Sequence, residues 1–364
     1  MSESTLVSLD DFEAGAQSVL SPEIRDFIAG GSGSELTLRA NRQALDAVVV
    51  YPRMLAGALS GTEVTLLNTP MSMPVGVAPM AYQRMAHPDG EIAMAEAAHQ
   101  AGIPMMLSAL SSSPVEEVAR TGVAVWFQLY WLAERRRLEQ LIERAETAGS
   151  AALVVTVDVP VLGRRLRDVR NQFALPTPVV AANLAAGSSS TAHLSRAGES
   201  AMAVHTRELF GPPLTWADLE WLRSRTSLPL AVKGILDPRD AGRAVAIGAD
   251  AVVVSNHGGR QLDGAPASIA ALPGVAAEVG QQCQVLLDSG IRSGMDVLRA
   301  LALGADGVLV GRPLLWALAL DGAAGVRHAL SLLSTEVHES LILAGCADPA
   351  AARELRTSWG SCCG

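Results

Sequence analysis

Aromatic side chains are scarce, at 4% of a 364-residue chain that is 49% apolar. A core of this size must then be packed from aliphatic and small residues, which suits helices laid closely on a sheet. Cysteine occurs four times, at Cys283, Cys346, Cys362 and Cys363, without metal-ligand spacing. The adjacent Cys362–Cys363 pair reads as a frayed tail, no metal is expected, and a reducing, cytoplasmic setting is the simplest reading. Positive charge is in deficit: 28 Lys and Arg against 37 Asp and Glu leave −9, with no basic tract, which argues against nucleic acid. No apolar run approaches about 18 residues, so no membrane partner is expected. The start, MSESTLVSLDDFEAG, lacks the basic and apolar regions of a signal peptide.

What is abundant is one repeated unit. Short apolar, β-branched runs fall at Val75–Pro79, Pro104–Ser108, Val125–Tyr130, Ala152–Asp158, Pro229–Lys233, Ala251–Asn256, Gln284–Asp288 and Gly307–Gly311. Most are followed by a helical segment that stops at glycine. Ser113-Pro114-Val115-Glu116 offers an N-cap and a proline at the first helical position, with Gly122 as the stop. Leu138, Leu141, Ile142 and Ala145 form an i, i+3, i+4, i+7 stripe closed by Gly149. Asp237-Pro238 and Ser293 start two further helices, ending at Gly248 and Gly304. A doubly wound open sheet would use the same units, but eight of them favour closure into a single-domain (β/α)8 barrel, a TIM barrel, spanning residues 1–364. Residues 1–60 read as a helical lead-in with a sharp turn at Gly30–Gly33. Residues 174–214 read as a loop insertion after strand four, over the active site.

In such a barrel the chemistry gathers at the C-terminal ends of the strands. There lie Gln128 and Tyr130, then Thr156 and Asp158 with Arg165 beyond, then Lys233, and the run Ser255-Asn256-His257-Gly258-Gly259-Arg260-Gln261-Leu262-Asp263. Strands seven and eight end in Asp288-Ser289-Gly290-Ile291-Arg292 and Gly311-Arg312-Pro313. Small residues and arginines beside helix N-termini suit a phosphate, although such glycines could serve tight turns alone. His257, Asp158, Arg165, Arg260 and Lys233 together offer a base, its orienter and a docking point for an anion. Asp158 could instead pair with Arg165 as a structural bridge. Lys233, at the end of a buried strand, needs an anion, a carboxylate on a neighbouring strand being the plainer choice.

The nonapeptide from Ser255 to Asp263 resembles that of the FMN-dependent 2-hydroxy-acid oxidases and dehydrogenases, which include glycolate oxidase, lactate oxidase and mandelate dehydrogenase. The likeness runs from Ala29-Gly30-Gly31 through Asn41-Arg42 and Val77-Ala78-Pro79 to Gly311-Arg312-Pro313, about 300 residues by the repeat reading. It implies FMN as cofactor, with Pro79, Met80 and Ala81 passing the ring and Ser108, Gln128 and Thr156 bonding its polar edge. Lys233 would lie by the N1–C2=O side, and Ser255 by the ribityl chain or ring. Asp288, Ser289, Gly290, Arg292, Gly311 and Arg312 would hold the ribityl chain and phosphate. His257 would take a proton from the substrate, assisted by Asp158, while Arg260 and Arg165 clamp its carboxylate and Tyr130 bonds its oxygen.

Three departures from the family pattern matter. Phe27 stands where glycolate oxidase has a carboxylate-binding Tyr, and Leu110 where it has a bulky Trp. The pocket should be roomier and more apolar, which points to mandelate or 4-hydroxymandelate. The runs Asp26–Gly33 and Tyr130-Trp131-Leu132 resemble 4-hydroxymandelate oxidases. Ser289 stands where Gly is usual and is expected to be tolerated at negative φ. The implied reaction is oxidation of an (S)-2-hydroxy acid to the 2-keto acid, with O2 reduced to H2O2, in a homo-oligomer (a tetramer). The alternatives are a dehydrogenase or monooxygenase acting on lactate or glycolate, an FMN-dependent isomerase, and a non-catalytic flavin-binding protein.

Overall fold

Each of the eight apolar runs forms a strand. The computed structural model describes residues 6–184, 190–194 and 198–360, so Cys362 and Cys363 lie outside the described residues. The barrel strands are β1 (Val75–Val77), β2 (Met105–Ser108), β3 (Val125–Leu129), β4 (Ala152–Thr156), β5 (Leu230–Ile235), β6 (Ala251–Val254), β7 (Gln284–Leu287) and β8 (Gly307–Val310). They close in the order β1 to β8, every neighbouring pair parallel, including β8 with β1 through Val308↔Val75. The expected barrel is present. Strands β2, β3, β4, β6 and β8 are buried at every position, because helices cover one face and barrel packing the other.

The helices follow their sequence cues with one exception. Helix Arg135–Thr147 buries Leu138, Leu141, Ile142 and Ala145. Asp237 caps Pro238–Ala246 by accepting from the Arg239 N–H at 2.9 Å, and Ser293 caps Gly294–Ala302. At Ser113 the expectation fails. Its hydroxyl donates to Glu91 at 3.1 Å, Pro114 takes the cap position, and Asn183 Oδ1 accepts from the Val115 N–H at 2.9 Å. The buried Glu91 carboxylate competes for the hydroxyl, and a distant amide replaces the local cap.

Before the barrel come helices Leu9–Ala16, Pro22–Ala29 and Leu36–Ala47. Strand Val48–Tyr51 then pairs with Arg356–Trp359 from the far end of the chain. The Gly30–Gly33 turn lies directly on the β6 loop: the Ser32 N–H donates to Gly259 O at 2.9 Å, and a Cβ on Gly31 would sit 2.8 Å from that oxygen. Asp263 fixes the next helix by accepting from the N–H groups of Ser34 (2.7 Å) and Thr37 (3.0 Å). The segment 174–214 is more than loop, since it carries helix Ala201–Leu209. Its residues 185–189 and 195–197 lie outside the described ones.

Candidate active site

One cleft opens at the C-terminal ends of the strands, enclosing roughly 1200 Å³ with its mouth included. Its wall contains Pro79, Met80, Ala81, Leu110, Tyr130, Arg165, Lys233, His257 and Arg260. Asp288, Ser289, Gly290, Arg292, Gly311, Arg312 and Phe27 complete the expected set that reaches it. Ser108, Gln128, Thr156 and Ser255 stand behind this wall at the ends of β2, β3, β4 and β6, all buried. The sequence reading did not single out Tyr82, Met85, Met202, Thr206 and Phe210, which also line the cleft. The last three come from the insertion, whose composition carries no strand or repeat signal.

His257 follows β6 in a short turn, His257–Gly259, with φ +58, a left-handed conformation that His tolerates better than most residues. Its Nδ1 lies 2.9 Å from Asp158 Oδ1, and the other carboxylate oxygen, buried, has no partner. Among the described residues Nε2 is engaged by no protein group, and it is the nitrogen left for a substrate. Burial pushes the His257 pKa below its ordinary 6.5, against the opposing pull of Asp158. The neutral, proton-accepting form therefore prevails at neutral pH.

The charge of Asp158 raises the His257 pKa, and this gives a sign that can be measured. In Asp158→Asn the charge that raises the His257 pKa is gone, so the acid limb of kcat/KM moves to lower pH. The plateau falls by about 10²-fold or more, because the imidazolium loses its counter-charge. A pH profile of kcat/KM checks this; an unmoved limb would contradict the pairing.

Asp158 does not pair with Arg165. The Arg165 guanidinium is buried at 8% exposure, its nearest carboxylate is Asp168 at 4.0 Å, and its Nε has no partner. Burial lowers its pKa, which marks an uncompensated charge. Arg260 spends Nη1 on the carbonyls of Phe27 (2.7 Å) and Gly30 (2.9 Å), and its fork lies 5.0 Å over the Phe27 ring. Burial, then the charges of Arg165 and Arg312, pull the Arg260 pKa well below its ordinary value. Two arginines thus repel each other beside His257. An anion between them would relieve both.

Arg312 donates to Ile28 O (2.9 Å), to Gly30 O (3.1 Å), the carbonyl that Arg260 also engages, and to Gly258 O (2.9 Å), which leaves Nη1 for an anion. Burial, with the charges of Arg292 and Arg165, pushes its pKa down to about 9. Arg292 is likewise lowered by burial, and its Nη1 reaches only Ile291 O, at 2.9 Å. Gly290, at φ +103, packs so closely on Asn41 and Leu45 that a Cβ there would meet Leu45 at 2.9 Å. Asn41 in turn exchanges amide bonds with Asn256, at 2.9 and 2.7 Å, and so ties the lead-in to the β6 loop.

Lys233 does meet a carboxylate, but not one on a neighbouring strand: Asp288 follows β7, two strands away from β5. The Lys233 Nζ is 2.8 Å from Asp288 Oδ2 and 2.9 Å from Ser255 Oγ. Burial opposes ionisation of Asp288, but the charge and hydrogen bond of Lys233, with the Ser255 and Ser289 hydroxyls, hold its pKa below the ordinary carboxylate value. The negative φ on which tolerance of Ser289 was conditional is not found: φ is +79. Its hydroxyl donates to Asp288 Oδ1 (2.8 Å) and accepts from the Gly258 N–H (2.9 Å). These two bonds offset a left-handed conformation that glycine would adopt without strain.

The closed barrel thus gathers a histidine–carboxylate pair and Arg165, Arg260, Arg292 and Arg312 at one end of its strands. Residues 16–357 match the FMN-dependent dehydrogenase family, and the chain belongs to it. It is 53% identical to 4-hydroxymandelate oxidase from Amycolatopsis orientalis over 98% of this chain and 99% of that one. It is 47% identical to L-lactate oxidase from a Nostoc species, covering 94% and 95% of the two chains. The crystal structure of mandelate oxidase with (S)-4-hydroxymandelic acid superposes with a TM-score of 0.95 at 52% identity, covering 97% of this chain and 99% of that one. The cofactor is FMN.

The residues present fit that cofactor. Gln128 donates from Nε2 to Leu129 O (2.8 Å) and Thr156 Oγ1 (3.0 Å), while its buried Oε1 has no protein partner and can accept from a ring N–H. The under-used guanidinium groups of Arg292 and Arg312, beside Gly290 and Gly311, suit the phosphate. No described helix is long and apolar enough to cross a membrane.

Proposed function

We propose that the enzyme oxidises an aromatic (S)-2-hydroxy acid, mandelate or 4-hydroxymandelate, to the 2-keto acid, with O2 reduced to H2O2. The observation that carries this reading is the buried Arg165 guanidinium, whose Nε has no partner among the described residues and whose nearest carboxylate, Asp168, stands 4.0 Å away, beside the His257–Asp158 pair in a cleft also walled by Phe27, Leu110, Met202 and Phe210. Two of these relatives, the 4-hydroxymandelate oxidase and the mandelate oxidase, are named for that substrate class.

FMN, which the residues assigned to it above would hold, would supply the acceptor for the hydrogen and the electron pair of the substrate Cα–H bond. Everything else is the work of the chain. Arg165 and Arg260 grip the carboxylate and fix which face of the carbon is presented. Tyr130, held by stacking on Phe210 at 4.8 Å, donates to the substrate oxygen; burial, then the nearby Asp158, raises its pKa and keeps it protonated. His257 Nε2 receives the hydroxyl proton, and Asp158 stabilises the resulting charge at Nδ1. Lys233 and Ser255 would stand at the polar edge of the flavin ring. Helix Ala201–Leu209 covers the cleft and excludes water.

Oxygen uptake and H2O2 release with S-mandelate, 4-hydroxymandelate, lactate and glycolate test the reading; glycolate turned over faster than the aromatic acids would overturn it. Leu110 makes it sharper. Leu110→Trp should fill the space for the ring, lowering kcat/KM for mandelate about 100-fold while sparing glycolate, since overpacking costs about 1–3 kcal/mol. On the same reading the enzyme works in the cytoplasm as a homotetramer. Support for the former is that the described Cys283 and Cys346 are unpaired thiols; light scattering in solution tests the latter.

A further inference from the structure

Gln261, in the β6 loop, does not line the cleft, yet its side chain is committed entirely to a segment that does. Its Nε2 donates to Asp158 O at 2.8 Å and to Val161 O at 2.9 Å, and its Oε1 accepts from the Gly163 N–H at 3.0 Å. One amide thus spends both donor hydrogens and its acceptor on residues 158–163, a span that contains Pro160 and forms neither helix nor strand. Among the described residues no other hydrogen bond reaches the backbone of that span. The packing is as close as the bonding. A Cβ on Gly163 would sit 2.4 Å from Arg260 O and 2.9 Å from Gln261 Cα. The lead-in turn closes over the same junction, where the Ser32 hydroxyl donates to Gln261 O and the Gly33 N–H to Arg164 O.

What lies at the two ends of the span gives the amide its consequence. Asp158 is fixed independently, because the Val157 N–H donates to Lys233 O at 2.9 Å and the Asp158 carboxylate meets His257. Arg165, just past Gly163, has no such anchor: its nearest carboxylate stands 4.0 Å away, so its place depends on where the backbone delivers it. It also shares the site with Arg260, and the two positive charges push apart. Arg260 directly precedes Gln261 in the chain. We infer that Gln261 is a positioning residue that sets Arg165 against Arg260, and so fixes the separation of the two guanidinium groups that grip the substrate carboxylate. Farther along, Arg167 is tied to Glu35 at 2.7 Å, which keeps the following helix, Leu166–Arg170, docked without the amide. Loss of Gln261 therefore loosens the entry to that helix, where Arg165 sits, and leaves the fold in place. This inference rests on the 2-hydroxy-acid reading above and deepens it.

The test is Gln261→Met in the FMN-loaded enzyme, since methionine keeps the length of the side chain and removes all three hydrogen bonds. KM for S-mandelate and the inhibition constant of its 2-keto acid should both rise by roughly ten-fold or more, while kcat falls only a few-fold and FMN stays bound. If both constants stay at their parent values the inference is overturned, even where the melting temperature drops, because that is the signature of a purely structural role. A fall in kcat at constant KM overturns it as well, and moves the effect to Asp158 and His257. Should Gln261→Met fail to fold, Gly163→Ala keeps the amide and wedges the span away from Arg260 O. It should raise the same two constants, and unaltered constants there reject the role. Glycolate or lactate outpacing mandelate is a different failure, confined to the aromatic reading; the same comparison made with that acid still decides the role of Gln261.

Discussion

His257→Asn should lower turnover by about 10²–10⁴-fold while FMN stays bound. Asparagine is the replacement of choice because His257 sits at φ +58, and Asn tolerates that conformation better than most residues. The backbone of the turn, held by the Ser255 hydroxyl accepting from the His257 N–H at 3.0 Å, then has no reason to move. What is lost is the proton acceptor. The carboxylate grip of Arg165 and Arg260 does not involve the imidazole, so KM should change only a few-fold. kcat and kcat/KM should fall together, as expected of an interaction made only in the transition state. Steady-state kinetics alongside the flavin absorbance check both halves. A variant retaining a tenth or more of the parent rate would remove His257 from the role given to it.

Lys233→Met should destabilise the protein by about 3–5 kcal/mol, since it leaves a buried carboxylate without its counter-ion. Methionine nearly matches the lysine stem in volume, so the loss is of charge rather than packing. In the parent, Lys233 helps hold the Asp288 pKa down, and that contribution to stability is present above the ordinary carboxylate pKa and lost as pH falls through the lowered one. In the variant the Ser255 and Ser289 hydroxyls still oppose burial, but without the Lys233 charge burial, the largest influence, outweighs them and the folded-state pKa rises above the unfolded one. The sign inverts: the variant should be relatively more stable at low pH and should lose stability as pH rises through the raised pKa. Denaturant unfolding across pH measures this directly. Pairing the substitution with Asp288→Asn should recover part of the loss, because the uncompensated charge is removed. A loss under about 1 kcal/mol, with no inverted pH trend, would mean that the Lys233–Asp288 pair is not the support described here.

The parts of this molecule that could be read from sequence share a physical reason. Parallel strands buried on both faces must be near-continuous apolar runs, so β2 to β4 and β6 to β8 announce themselves. In a barrel their C-terminal ends must carry the chemistry, so His257, Asp158, Lys233 and Arg165 could be placed before any coordinates. Asp237 and Ser293 work as caps because the partner N–H lies two or three residues away. Where the partner is distant, the local cue fails: Ser113 is drawn to Glu91, and Asn183, 68 residues on, caps in its stead. The left-handed backbone of Ser289 is hidden for the same reason, since the Gly258 N–H that helps hold it lies 31 residues away. Tyr82, Met202, Thr206 and Phe210 face the cleft without any periodic pattern to reveal them, and Arg312 gives three hydrogen bonds to carbonyls on two other segments. Long-range partners, not local propensity, decide these positions.

The most direct test of the account is anaerobic mixing of the purified enzyme with S-mandelate, R-mandelate, 4-hydroxymandelate, lactate and glycolate, following the flavin band near about 450 nm. Rapid bleaching by S-mandelate and 4-hydroxymandelate, reversed on admitting air, is the predicted result. Bleaching by lactate or glycolate alone, or no bleaching by any of the acids, would contradict it.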